Sequence, residues 1–377
     1  MRKHSSFRFR VFAMLLVLFA AAFLLPASRT GDAKLYLLAA AVPGVMLFLL
    51  FLPAGLFSLD RPSLSSALAL CGFGLLATVY ISPDETLSQG LRCVAALFFL
   101  AAGTVLVRSF RPSVPAAALL SLCGLGMLCF TLWSPQTSFS LAEGAMVLLL
   151  LAVAAFLALR LRLPALLVAL GGMLLFLLQK DLGNAAVWGL AAVLLFWSAS
   201  DSLLWSGFSL GGAGTMFGFF IGFGPGPVEN ESPSVLVRIA AMPLIPPESV
   251  QNPVSDTMPP DSLFFLLGEQ FGLIFLLCAV FLLVILLIRG ASLAQHTRKS
   301  FHASLALGCI LLMGLRALFF LGTAADLIPL SPGTFPFMTS SLPDLFAHFF
   351  LLGLLCGISA RNESDLEEDA RLAMLAR

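Results

Sequence analysis

Residues 260–272, PDSLFFLLGEQFG, put an aspartate at the mouth of a long apolar helix and a glutamate inside it. Asp261 closes a proline-rich hydrophilic stretch, and Glu269 follows about 12 Å further along a helix axis. An ionisable side chain in hydrocarbon is costly, so it faces a cavity or a partner and often marks a functional site. A carboxylate at a low-dielectric membrane rim is suited to act as a general base. Three more polar features fall at ends of apolar runs: Lys180 and Asp181 in QKDLGN, Glu143 early in a helix starting near Ser138, and Asp326 in the segment 323–343. Each also has a purely structural account. Asp261, after two prolines, is a fit helix cap. Lys180 and Asp181 read equally as a solvated pair, Glu143 as a residue reaching for the interface, and Asp326 as a loop residue. Glu269 needs a partner. Arg316 is the single basic residue in the middle of an apolar run. A Glu269–Arg316 pair, or either residue with another polar group, would satisfy both charges, as a structural ion pair or as part of a site.

The elements that must hold these residues are membrane helices. Of 377 residues, 59% are hydrophobic and 11% charged, and the mean hydropathy is +1.01, outside the soluble range. Apolar runs able to cross a bilayer recur about twelve times: 11–26, 35–57, 66–82, 93–110, 115–133, 140–159, 164–178, 185–198, 203–224, 263–288, 303–322 and 344–359. The runs 164–178 and 185–198 are short, so the expectation is ten to twelve spans in an all-α bundle. With the amino terminus inside, fifteen Lys and Arg fall in inner segments and five (Arg29, Lys34, Arg92, Lys180, Arg238) in outer ones. That bias sets both termini in the cytoplasm and residues 225–262 and 323–343 outside. The first run also has the form of a cleaved signal peptide. The loop 225–262 holds nine prolines and reads as coil. The apolar, proline-broken segment 323–343 reads as a stretch dipping back toward the membrane. The expected divisions are amino-terminal helices over 1–135, a core over 136–359, and a tail over 360–377 that forms a short surface helix.

A net charge of +1 carries no information on partners, and there is no nucleic-acid patch. The seven cysteines make no CxxC or metal spacing and read as small buried hydrophobes. The four histidines are scattered and offer no ligand set.

Taken together, the motifs resemble the SEDS (shape, elongation, division and sporulation) family, the RodA/FtsW/SpoVE peptidoglycan polymerases. The family pattern TDFIFSVIGEELG is similar to PDSLFFLLGEQFG without a gap, matching Asp261, Phe264, Gly268, Glu269 and Gly272. QPDLGTA is similar to QKDLGNA at 179–185. The late LPFMSYGGSSLLANLIALGLL resembles the stretch around Pro329, Pro336, Phe337, Met338, Ala347 and Gly353. Order and spacing agree across about 139 to 359. The resemblance implies a SEDS-type fold in the bacterial plasma membrane and a glycosyltransferase that polymerises lipid II on its outer face, in elongation, division or sporulation. Asp261 then stands as the base that takes the acceptor hydroxyl proton, and undecaprenyl pyrophosphate leaves with inversion. Positive charge near the pyrophosphate would come from Arg238, Lys180 or a divalent cation (Mg2+ or Mn2+), for which the sequence offers no ligand set. The implied partner is a class B penicillin-binding protein, a transpeptidase.

The sequence also departs from the pattern. The family's PSE..K falls on FSLAEG at 139–144, where Gly144 replaces the lysine and Leu141 the glutamate unless Glu143 takes over. Lys180 stands where the family has proline, which suggests a cation restored from a neighbouring helix end. The glycine-rich stretch before the aspartate is missing, and Ser341, Leu342 and Pro343 replace the late GGS. Two rivals follow: a catalytically degenerate scaffold of a cell-wall complex, and a transporter of a lipid-linked precursor.

Overall fold

A computed structural model of the chain describes residues 60–81, 85–134, 141–199, 203–223, 263–324, 327–328 and 333–375, with scattered positions between 17 and 46. Among the described residues there are no strands. From residue 60 the order is α1 (Arg61–Ile81), α2 (Thr86–Ser109), α3 (Val114–Trp133), α4 (Ala142–Ala158), α5 (Arg162–Leu178), α6 (Leu182–Ala199), α7 (Leu203–Phe223), α8 (Leu263–Phe271), α9 (Leu273–His296), α10 (Ser300–Ala324) and α11 (Leu342–Leu375). Hydrocarbon leaves no partner for a free backbone amide, so apolar runs of this kind become helices whatever their propensity. Among the described residues, seven (α1, α2, α3, α6, α9, α10, α11) are long and apolar enough to cross a membrane. The chain is a multi-pass helical membrane protein.

The short runs prove to be helices. α5 has 17 residues, about 26 Å long, slightly less than a hydrocarbon core of about 30 Å. The end of α4 before it and its own end use one device. Arg160 before it (φ 58°) and Lys180 after it (φ 61°) adopt the left-handed conformation. Around Lys180, its own N–H donates to Leu177 O at 2.9 Å and that of Asp181 to Phe176 O at 3.0 Å, the Schellman closure of a helix end.

α1 is deeply buried, with 89% of its span covered. The tightest seam joins α2 to α11, where small residues let two backbones meet. A Cβ at Gly103 would lie 2.6 Å from Phe350 O, and one at Gly357 2.9 Å from Thr104 O. Thr104 donates its hydroxyl to Leu100 O at 2.9 Å and to Gly353 O at 3.1 Å across the seam.

Three expectations are corrected. The run 263–288 is two helices, because Gly272 (φ 89°) breaks it, a conformation that only glycine takes without strain. The tail is no separate surface helix: α11 runs unbroken for 34 residues to Leu375. It is held there by Lys299 Nζ on Asp365 at 2.7 Å and by Arg361 on Arg108 O at 2.8 Å. Of the cysteines, Cys71, Cys309 and Cys356 are buried, while Cys123, Cys129 and Cys278 are exposed on the bundle's perimeter.

Candidate functional site

The polar residues of the apolar core gather at one end of the bundle, around Arg316. α10 carries this guanidinium sixteen residues from its start, about 24 Å along the axis, and leaves it 6% exposed. Its Nη2 donates to Glu143 Oε1 in a buried ion pair and to Asn184 Oδ1 at 2.7 Å. Its Nη1 stands 4.0 Å from Asp344 Oδ1. The partner of Arg316 is therefore Glu143, not Glu269. Glu269 sits half-buried on α8, in the last turn before Gly272.

Each partner is placed by a helix beginning. Glu143 lies in the first turn of α4 and Asp344 in the first turn of α11, where the positive helix end favours a carboxylate. Asp181 caps α6: the Asn184 N–H donates to its Oδ1 at 3.0 Å, and Asn184 Nδ2 to its Oδ2 at 2.7 Å. This orients Asn184 so that its carbonyl oxygen faces Arg316. Glu143 and Asp344 face the guanidinium directly, and Asp181 reaches it through Asn184, so the arginine is set among protein partners. A void of about 10 Å³ remains, lined by Glu143, Arg316, Val187 and His348, room for about one water. Nδ1 of His348, 2% exposed, has no hydrogen-bond partner.

α10 also joins the other motifs. Phe320, one turn beyond Arg316, meets Phe264 edge-on with ring centroids at 5.5 Å and stacks with Phe265 at 5.2 Å. Phe264 stacks on Phe335 at 4.3 Å. The helix that follows Asp261 is thereby packed against α10 and the segment 333–341. That segment is buried from Thr334 to Thr339, as a stretch turning back into the bundle requires. Its carbonyls are met from α2: Gln89 Nε2 donates to Thr339 O at 2.9 Å, and Arg92 Nη1 to Ser340 O at 3.1 Å. Phe337 takes φ 65° there, a conformation that disfavours a bulky side chain.

Of the residues singled out from the sequence, Glu143, Arg316 and Asp181 come together. Lys180 stands exposed at the adjoining helix junction, and the cation beside Glu143 is Arg316. Asp261, Arg238 and Asp326 lie outside the described residues. The sequence reading missed Asn184, Asp344, His348, Gln89 and Arg92. Asp344 and His348 at i and i+4 on one helix face were the available signal. Among the described residues no three His, Cys, Asp or Glu side chains gather as a metal site, and the carboxylates around Arg316 already enclose a cation, so this cluster does not fit a divalent ion.

The fold is a polytopic helical bundle with its motifs drawn to one end. The pattern of the FtsW/RodA/SpoVE family, described as cell cycle proteins, matches residues 256–364. RodA of Mycobacterium tuberculosis, a peptidoglycan glycosyltransferase, is 35% identical over 111 residues, covering 29% of this chain and 24% of that protein. The probable peptidoglycan glycosyltransferase FtsW of Geobacter metallireducens is 28% identical over 101 residues, 27% of each chain. The chain thus spans about a quarter of the length of the curated relatives it matches. In fold the likeness is broader. A chain from a peptidoglycan synthase complex that coordinates polymerization and crosslinking superposes with a TM-score of 0.60 at 20% identity, over 81% of this chain and 98% of that one. Thermus thermophilus RodA gives 0.59 at 20% identity, over 80% and 97%. Over residues 256–364 the chain is similar to the FtsW/RodA/SpoVE family, and its fold is like that of the solved RodA chains.

Proposed function

We propose that this protein is a peptidoglycan glycosyltransferase that polymerises lipid II on the outer face of the bacterial plasma membrane, both termini being cytoplasmic. The observation that supports it most is the convergence of all three family motifs on α10: QKDLGN through Asn184 to Arg316, the late motif through Asp344 and Phe335, and the α8 motif through Phe264. In this reading Asp261, three residues before Phe264, accepts the proton of the acceptor sugar hydroxyl as that oxygen attacks the donor's anomeric carbon. The carbon–oxygen bond to undecaprenyl pyrophosphate breaks, and the electron pair leaves with the pyrophosphate. Arg316, buried and paired with Glu143 and Asn184, holds the motif-bearing helices together. The cations left for the leaving group are the exposed Lys180, Arg92 at the re-entrant segment, and Arg238. Glu269 on α8 supports the helix that presents Asp261. The partner is a class B penicillin-binding protein that crosslinks the strands.

One observation favours a second reading, a degenerate scaffold of a cell-wall complex: the Glu143 region holds no uncommitted cation, because its arginine is neutralised by carboxylates. Polymerisation of labelled lipid II by the purified chain, with and without its transpeptidase, separates the two. Glycan strands that vanish in Asp261→Ala are the expected result. Folded protein that binds the transpeptidase but makes no strands would establish the scaffold.

A further inference from the structure

The end of the bundle away from Glu143 and Asp181 holds a larger cavity that the polymerase reading does not use. It lies between the start of α1, the last turns of α9 and the middle of α11. Its volume is about 190 Å³, more than ten times what one water needs yet below the size of a drug-like ligand site. It takes a small polar group. The polar lining is of two kinds. Asp60 offers a carboxylate, one oxygen of which accepts the Ser63 hydroxyl. Arg289 offers a guanidinium, with Ser292 and Ser359 nearby on the wall.

The two charges face each other without bonding. Arg289 Nη2 and Asp60 Oδ1 are 3.9 Å apart, with 43% and 27% of their side chains exposed. That separation is beyond a hydrogen bond, so each keeps capacity for an anion or for an N–H donor. Arg316 and Glu143, buried, close into a direct pair, whereas these two stay half-exposed. Here they frame a gap.

The cavity also has an apolar approach. Ile274, Leu277, Phe281, Val284 and Ile288 are exposed along α9, at spacings of three and four that align on one face. This lane runs about 21 Å and ends one residue before Arg289. A molecule with a long hydrocarbon chain and a head carrying both charges matches lane and cavity together.

We propose that this cavity binds the head group of a zwitterionic phospholipid of the phosphoethanolamine type. Its phosphate lies on Arg289, with hydroxyl donors from Ser292 and Ser359. Its ammonium donates to Asp60, and its acyl chain follows α9. A purely anionic head group leaves Asp60 facing a negative charge. A quaternary ammonium offers Asp60 no N–H. The shared chemistry, a phosphate ester bearing a primary amine, also exists in soluble form, and the α9 lane is what selects the lipid.

The test is native mass spectrometry of the full-length protein released from nanodiscs of phosphatidylethanolamine, phosphatidylcholine or phosphatidylglycerol, with Arg289→Ala and the cavity-filling Ser359→Leu alongside. Retention of phosphatidylethanolamine at least 10-fold above the other two, lost at least 10-fold in Arg289→Ala, is expected. Equal retention of the three lipids, or retention unchanged in Arg289→Ala, overturns the proposal. So does soluble phosphoethanolamine binding the delipidated protein as tightly as the lipid, which reassigns the cavity to a free ester. Should Ser359→Leu fail to fold, the head-group series and the half-exposed Arg289 still decide the matter.

Discussion

Two arginines at opposite ends of the bundle show how differently one residue type is used. Arg316 is 6% exposed and surrounded by Glu143, Asn184 and Asp344, with a void of about 10 Å³ left beside it. Arg289 is 43% exposed, stands 3.9 Å from Asp60, and borders about 190 Å³. The first is buried among protein partners and draws four helices together; the second is half-exposed and joins little. Breaking a buried pair by removing one partner costs about 3–5 kcal/mol, because a charge is left uncompensated, whereas a half-exposed pair contributes about 0–1 kcal/mol. The charge nearer the family motifs is enclosed by packing, and the one farther away borders open space.

Substitutions can break that contrast. Arg316→Ala is expected to have the largest effect, about 3–5 kcal/mol of lost stability, read as a sharp fall in the thermal midpoint in detergent. A loss no greater than that of a surface residue would refute the buried-pin account. The double variant Arg316→Met with Glu143→Met sharpens it, since replacing both charges by apolar groups is often neutral or stabilising; most of the lost midpoint should return while polymerisation rate reports whether the charges matter beyond packing. Gly103→Val, in the seam that runs between the two ends, should cost about 1–3 kcal/mol, as its side chain meets a backbone carbonyl; an unchanged midpoint would mean the seam yields. Lys180→Gly should gain about 1 kcal/mol by relieving a left-handed backbone, and a simultaneous drop in kcat shared with Lys180→Ala would assign the exposed ammonium to the leaving group. Arg289→Ala should change stability least, by about 0–1 kcal/mol, leaving lipid retention as the property that moves.

The helices were legible because membrane spans declare themselves by apolar length alone, and the motif residues because charges are rare in such runs. Pairing was not legible. Depth along the chain placed Glu269 and Arg316 at similar levels, but depth carries no information on helix rotation or on which helices are neighbours, and Glu143 from 173 residues away holds the arginine instead. The break at Gly272 was hidden within a continuous apolar run, since hydropathy does not register backbone conformation. The tail's charges suggested a free surface helix, whereas helix propensity and the Lys299 and Arg361 contacts carry α11 onward. Asp181 illustrates a residue read in two ways from sequence: it is a cap, and the amide it orients is what reaches the cluster.

The seam between α2 and α11 has a consequence for how the chain is made. Thr104 and Gly353 are 249 residues apart, and at about 5–20 residues per second the ribosome takes roughly 12–50 s to deliver one after the other. Throughout that interval the glycine-lined face of α2 stands in the bilayer without its proper neighbour. Assembly of the first half therefore waits on insertion of the last helix, and a chain cut short before α11 presents the membrane quality-control machinery with an unsealed face rather than a smaller working protein.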